Sequence, residues 1–322
     1  MISKLRQRGA WVETFSTLAL VLIAIAYIQG DVYLEDVAIL VATYSMIALG
    51  LYVPFIMGGA LSMSYNAYLG IGAYAVAIIA SKTGLGFGWG LPIGMALSAA
   101  VAVMLGFATR RLSGFFLASV TVLFGIAFTS WLIASADLTG GGAGIPTFPT
   151  PVVFGVKLTH TIVVSIALLL VWIVAVLLAR LRRSPFGVAV RASRRASIAV
   201  EASGIRISTI VLVSLALGAI IASLGGSMFA LVNESVIPES FAIDIVFLTV
   251  FTPLLGGQST PWGAVLGAFL VVLFTFELTM FKETGTLLFA LAVLVVLVAA
   301  PRGLLGYASS GLKLLTSRLE PR

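Results

Sequence analysis

Cysteine is absent from the 322 residues, and histidine occurs once, at position 160. The first absence excludes disulfides and cysteine-ligated metals, and the second leaves no multi-histidine metal site and no histidine relay. Charge is scarce as well: only ten per cent of residues are Asp, Glu, Lys or Arg, against about a quarter in soluble domains. The phosphate-binding pattern GxxxxGK[ST] is missing, so the chain is not expected to bind and hydrolyse ATP itself. No carboxylate pair stands at helical spacing inside an apolar run, and no nucleophile–base set can be assembled around His160. The expectation is a protein that is not an enzyme, with no catalytic residues, no metal and no cofactor.

What the chain has instead is apolar length. Sixty per cent of its residues are hydrophobic and the mean hydropathy is +1.16. A soluble domain of this size needs a larger polar share to cover its surface. The fold class is therefore all-α, a polytopic helical membrane protein forming one transmembrane domain over 1–322. A spanning helix takes roughly 20 apolar residues. Ten segments fit, near 15–30, 37–57, 66–81, 91–108, 115–134, 160–180, 207–232, 242–256, 262–280 and 285–300. The first follows a basic start, the outline of a signal peptide. No clear small-residue cleavage site precedes a soluble segment, so an uncleaved first helix is expected.

Basic residues in short loops mark the cytoplasmic side. With the N-terminus inside and ten alternating spans, only Lys82, Lys157 and Lys282 of the 19 Lys and Arg residues fall outside. An odd number of spans scrambles that division, so both termini are expected to be cytoplasmic. The net charge of +7 is then explained by cytoplasmic loops, and nucleic acid is not an expected partner. No ionisable residue lies at mid-membrane, Glu277 coming nearest. This argues against a proton relay or voltage sensor, while sodium coordination by backbone carbonyls stays open.

Two stretches do not read as plain helix. In PFIMGGALSMSYNAYLGIGAYAVAII (54–79), Pro54, Gly58 and Gly59 precede a polar patch; in PLLGGQSTPWGAVLGAFLVVL (253–273), Pro253, Gly256 and Gly257 precede Gln258, Ser259, Thr260 and Pro261. Paired interruptions point to a transport path, and tight inner-side turns built on glycine fit the same residues. Small residues four apart, Gly263 with Gly267 and Gly218 with Ala222 and Gly226, are read as helix-packing features.

The arginines gather in RRSPFGVAVRASRRASIAVEASGI (182–205). Ser184-Pro185 suits a helix start, serine as N-cap and proline at the first position, and Gly204 suits a stop. One or two short helices along the cytoplasmic face are expected, with Arg191 and Arg195 on one face and a stripe of Ala192, Ala196 and Ala199. Topology, anionic lipid headgroups, a solvated loop and docking into a groove on another protein are the competing readings of this charge. The capped, alanine-striped design exceeds what topology alone demands.

With these residues laid out, the chain resembles the larger of the two paired permeases of bacterial branched-chain amino-acid ABC importers. Four blocks carry the resemblance in order: GGALSMSYNAYLGIGAYA (58–75), RLSGFFLASVTVLFG (111–125) followed by LTGGGAGIP, SPFGVAVRASRRASIAVEASGI (184–205) and LGGQSTPWGAVLGA (255–268), with PRGLLG (301–306) a shorter fifth. The sequence departs from the family pattern at Ser64-Tyr65-Asn66, where a histidine is usual, and at Ser259-Thr260, where glycine is usual.

The resemblance implies that 182–206 is the cytoplasmic loop that couples to an ATPase. Glu201, Ala202 and Gly204 match its docking motif, and Ser184, Phe186, Gly187, Arg191 and Ala192 form the lead-in helix. It also implies a second homologous permease, two ATP-binding subunits, an extracytoplasmic solute-binding protein and the lipid of a bacterial cytoplasmic (inner) membrane. The expected function is half of a translocation path for branched-chain amino acids or a related small polar solute. Ser62, Ser64, Tyr65, Asn66, Tyr68, Thr121 and Gln258 are the path candidates. The alternatives are an ion-coupled secondary transporter and a non-transporting membrane scaffold or enzyme subunit.

Overall fold

The computed structural model describes residues 2–83, 87–112, 114–146, 152–153, 156–278, 291 and 303. Helix α1 covers Ile2–Ile28. Helix α2, Val32–Leu51, starts where the Asp31 carboxylate accepts from the amides of Tyr33 and Leu34, and it runs on through a π-helical turn at Tyr52–Met57. After a non-helical stretch come α3 (Tyr65–Ile78), α4 (Gly90–Ala108) and α5 (Phe115–Ala134). Short α6 (Ala136–Thr139) and a two-stranded antiparallel hairpin, β1 (Val152–Val153) with β2 (Val156–Lys157), lead to α7 (His160–Arg183). Then follow α8 (Pro185–Arg195), α9 (Ser197–Ala202), α10 (Ile207–Asn233), α11 (Asp244–Gly256) and α12 (Pro261–Leu278).

Among the described residues, six apolar stretches are long enough to cross a membrane: Val32–Met57, Phe87–Ala108, Phe115–Ala134, His160–Arg183, Ile207–Asn233 and Pro238–Gly256. Thr14–Ile28 and Pro261–Thr275 are shorter apolar helices. The expected segment at 115–134 coincides with α5, and that at 15–30 falls on the second half of α1, which begins 13 residues earlier. The others up to 262–280 lie on helices whose ends differ by a few residues, with 279–280 outside the described residues. The segment at 285–300 lies outside the described residues, apart from Leu291, which is helical.

The two interruptions turn out to be different objects. The second is a tight turn, Gly257 to Thr260, between α11 and α12. The first is a longer break, non-helical from Gly58 to Ser64, with Ser62, Met63 and Ser64 buried. Helix α3 beyond it has 14 residues and runs on through a second π-helical turn at Ile79–Thr83, about 28 Å of helix in all, close to the roughly 30 Å hydrocarbon thickness.

Helix α10 is the hub, packed against α2, α3, α4 and α7. Small residues permit this. A Cβ on Gly226 would stand 1.9 Å from the Leu69 carbonyl oxygen, so the backbone of α3 is seated directly on α10. Likewise a Cβ on Gly267 would stand 1.8 Å from the Thr252 carbonyl oxygen, which joins α11 to α12. Close backbone contact of this kind supplies the van der Waals attraction that holds helices together in lipid. Helix α5 is the exception. It touches α3 and the short segments beside it, and its Phe115, Phe116 and Leu123 are exposed.

Candidate translocation path and coupling element

The break begins with chemistry at Pro54. Proline has no N–H and crowds the preceding turn, and the helix widens into the π turn that contains it. Gly59 then takes φ +78°, a conformation that strains residues with a side chain. The freed backbone groups are satisfied locally: Gly58, Gly59 and Ala60 donate to the carbonyls of Val53 (3.1 Å), Phe55 (2.9 Å) and Pro54 (2.8 Å). The Met63 amide donates to Thr121 Oγ1 of α5 at 2.8 Å. Non-helical backbone that enters a packed interior needs its polar groups paired in this way.

Six of the seven path candidates lie buried around this break: Ser62, Ser64, Tyr65, Asn66, Tyr68 and Thr121. The Ser62 and Ser64 hydroxyls are 3.1 Å apart, and the Tyr68 hydroxyl is within side-chain hydrogen-bonding reach of both. The Tyr65 hydroxyl donates to the Gly50 carbonyl at 3.1 Å. The Asn66 amide donates to the carbonyls of Gly125 (3.1 Å) and Phe241 (3.2 Å), so it joins α3 to α5 and to the loop before α11. Thr129 Oγ1 bonds the same Phe241 carbonyl at 3.2 Å. Gln258 stands apart, exposed in the α11–α12 turn. Thr129 was missed, although Thr121, Gly125 and Thr129 stand four apart and share one face of α5.

The arginine-rich stretch is two helices. Ser184 Oγ accepts from the Gly187 amide at 3.2 Å with Pro185 in the first turn, and Gly204 at φ +85° ends α9. Gly187 is needed for close approach, since a Cβ there would stand 2.1 Å from the Leu181 carbonyl oxygen of α7. Phe186 and Ala192 pack inward with Val190 and Val200 against Tyr52, Ile56 and Met57 of the π turn and Ile210 of α10. Of the alanine stripe, Ala192 thus faces the body of the protein, while Ala196 and Ala199 are exposed. Arg191 reaches back to the carbonyls of Gly187 (3.3 Å) and Arg182 (3.2 Å). Glu201, Ala202 and Gly204 are exposed, and beside them Ile198 is 84 % exposed.

Between the break and this hairpin lies a cavity of about 610 Å³, lined by Gly58, Ala60, Arg110, Leu117, Glu201 and Arg206 among others. It connects three elements: the broken segment, the α4–α5 turn and the loop entering α10. Near the N-termini of α2 and α7, His160 Nδ1 lies 2.6 Å from Glu35 Oε2 and Nε2 lies 3.4 Å from Asp36 Oδ1, and Thr161 Oγ1 donates to Glu35 Oε1 at 2.7 Å. The glycine-rich stretch after α6 is folded against the chain beyond α10 through a bridge between Ile145 and Val236.

Membrane-length apolar helices packed around a broken, hydroxyl-bearing segment define a multi-pass membrane protein with a polar seam. Residues 33–301 match the family described as the permease component of branched-chain amino acid transport systems, and the chain belongs to that family. It is similar to the high-affinity branched-chain amino acid transport system permease protein LivM of Escherichia coli, with 30 % identity over 92 % of this chain and 76 % of that protein. The Salmonella typhimurium protein of the same name is also 30 % identical, over 94 % of this chain and 77 % of its own length. A probable branched-chain amino acid transport permease protein LivM of Methanocaldococcus jannaschii is 26 % identical over 44 % of this chain and 45 % of its own length. No solved structure matches the chain.

Proposed function

We propose that the chain is the membrane subunit of an ATP-driven ABC importer for branched-chain amino acids or a related small polar solute, such as urea, an amide, or an aromatic or carboxylate compound. It forms half of the translocation path in the bacterial cytoplasmic membrane. In this reading one domain over 1–322 crosses the membrane ten times, with both termini in the cytoplasm. A second homologous permease supplies the other half of the path. Two ATP-binding subunits supply energy, and an extracytoplasmic binding protein delivers solute.

The single observation that carries the reading is the two-sided α8–α9 hairpin. Its inner side, Val190 and Val200, is sealed onto the π turn that precedes the break. Its outer side presents Ile198 and Ala202, and the exposed Glu201 and Gly204 also border the cavity. An isoleucine this exposed beside a carboxylate is surface that a partner groove would cover, in the manner of an apolar anchor within a polar rim. Closure of the ATP-binding subunits then pushes the hairpin, and the hairpin carries the start of the broken helix with it. The cavity serves as the inner vestibule. The hydroxyls of Ser62, Ser64, Tyr65, Tyr68 and Thr121, the Asn66 amide and, at the turn, Gln258 line the route. With affinity held by the binding protein, these groups need little selectivity.

The test is Ile198→Asp, Glu201→Ala and Gly204→Val in the co-expressed importer. Losing a docking anchor of about 2 kcal/mol lowers co-purification of the ATP-binding subunits roughly 30-fold, and leucine uptake falls with it. Unchanged assembly and uptake sinks the docking role. Uptake driven by a sodium or proton gradient in vesicles without ATP-binding subunits replaces the reading with secondary transport.

A further inference from the structure

We propose that Arg194 is the positioning residue through which the α8–α9 hairpin moves the broken helix. This rests on the coupling reading above and adds the residue that links the hairpin to the path. Arg194 Nη1 donates to the Ile56 carbonyl at 2.5 Å, across 138 residues of sequence. Ile56 lies in the last turn before the break. The carbonyls of Val53, Pro54 and Phe55 accept from the backbone amides of Gly58, Ala60 and Gly59, and that of Ile56 accepts from the arginine. A cation on the terminal carbonyls of a helix is the favourable sign for that end of the helix dipole.

The rest of the side chain holds the far side of the bend. A Cβ built on Gly59 would stand 3.0 Å from Arg194 Cγ, 3.4 Å from Cδ and 3.5 Å from Nε. The arginine stem thus lies directly over the residue at φ +78° where the chain turns out of the helix. One side chain grips the carbonyl before the bend and covers the backbone after it. Three residues beyond Gly59 comes Ser62, the first hydroxyl of the buried cluster.

The apolar contacts of Val190 with Tyr52, Ile56 and Met57 resist separation but are non-directional, so the surfaces can slide. The charge-assisted hydrogen bond is directional and fixes the register between hairpin and break. Arg191 does not share this role, because its bonds go to Gly187 and Arg182, within the hairpin and the end of α7.

The experiment uses the full importer, co-expressed with this chain tagged, and compares Arg194→Ala, Arg194→Gln and Arg194→Lys. The expected result is ATP-binding subunits co-purifying at the unmodified level and ATP hydrolysis retained, with radiolabelled leucine uptake down about 5- to 150-fold in Ala and Gln. Lysine keeps a charged donor on a stem of similar length and recovers part of the uptake. Normal uptake in Arg194→Ala overturns the proposal. So does loss of the ATP-binding subunits, which makes Arg194 a docking contact. Failure of both Ala and Gln variants to accumulate also overturns it, because Arg194 is then a folding residue. Failure of the coupling reading itself registers separately, as unchanged assembly and uptake in Glu201→Ala and Gly204→Val.

Discussion

The Asn66 side-chain amide donates to the Gly125 carbonyl of α5 at 3.1 Å, and the same nitrogen donates to the Phe241 carbonyl at 3.2 Å. Both partners are acceptors, so the NH₂ must face them and Oδ1 must point away. Oδ1 is buried and has no hydrogen-bond partner among the described residues. Helix α5, which otherwise meets the bundle along a narrow seam, is fastened to it by this amide together with the Thr121 and Thr129 hydroxyls.

Asn66→Ala therefore removes two donors from a buried site. Thr129 Oγ1 lies 3.2 Å from both the Gly125 and the Phe241 carbonyl, but a hydroxyl has a single hydrogen and can serve only one of them. With Thr129 serving Phe241, the Gly125 carbonyl keeps its place in the backbone ladder of α5, so the loss is that of the inter-element hydrogen bonds, about 0.5–1.5 kcal/mol each. Asn66→Asp is expected to be worse, since it puts oxygens where donors are required. Gly125→Ala acts on the same contact from the other side, because its Cβ would stand 2.4 Å from Asn66 Oδ1. Thermal midpoints of the detergent-purified assembly check the order: unmodified above Asn66→Ala, and Asn66→Asp lowest. Equal midpoints for all three remove the clasp.

Apolar helices and their caps were readable in advance because the causes are local. Ser184-Pro185 and Gly204 act within a turn of themselves, and their caps stand where the residue types put them. The Asp31 cap, equally local, was not read, and α2 starts five residues before the expected segment. The break between α8 and α9 at Ala196 has no such mark. Its cause is tertiary: Val190 and Val200, ten apart, would face about 80° away from each other on one straight helix. The kink lets both reach the pocket formed by Tyr52, Ile56, Met57 and Ile210. Asn66 was readable as polar and central but not as a clasp, since Gly125 and Phe241 are 59 and 175 residues away. Arg194 looked like any other basic loop residue, because the Ile56 carbonyl becomes its partner only once the helix has ended there. Even the difference between the two glycine interruptions depends on neighbours. The same Gly-Gly pair makes a short turn where α11 and α12 lie together, and opens a longer break whose far end, Ser62 to Ser64, is buried where Thr121 of α5 reaches it.

The lone histidine predicts a structural tie rather than chemistry. Glu35 is buried, with one carboxylate oxygen 2.6 Å from His160 Nδ1 and the other accepting from Thr161 at 2.7 Å. It joins the start of α2 to the start of α7. Glu35→Ala loses both bonds and is expected to lower stability by about 1–3 kcal/mol, and His160→Ala by less, because Thr161 keeps its carboxylate partner. Uptake per folded molecule should stay near normal in both. A pronounced loss of uptake at full stability counts against a purely structural tie and moves the cluster into the path.

Thr121 makes the sharper prediction about the path, because its hydroxyl does two things at once. It accepts from the Met63 amide of the break at 2.8 Å, and it donates to its own helix, with the Leu117 carbonyl at 2.9 Å and the Ala118 carbonyl at 3.0 Å. Thr121→Val keeps the shape and loses both bonds, leaving a buried N–H unpartnered whenever α5 sits against the break. When α5 parts from the break and water enters, that N–H is satisfied, so the penalty falls on the closed arrangement alone. A cost of about 1–3 kcal/mol shifts the balance towards the open form by about 5- to 150-fold. The chain contains no cysteine, so Ser62→Cys gives a single reporter. Its rate of modification by a polar maleimide should rise in Thr121→Val and return in Thr121→Ser, which keeps the hydroxyl. Leucine uptake should become less dependent on ATP as the rate rises. Unchanged labelling across the three variants means that the break and α5 do not part there, and the route must then be sought elsewhere in the bundle.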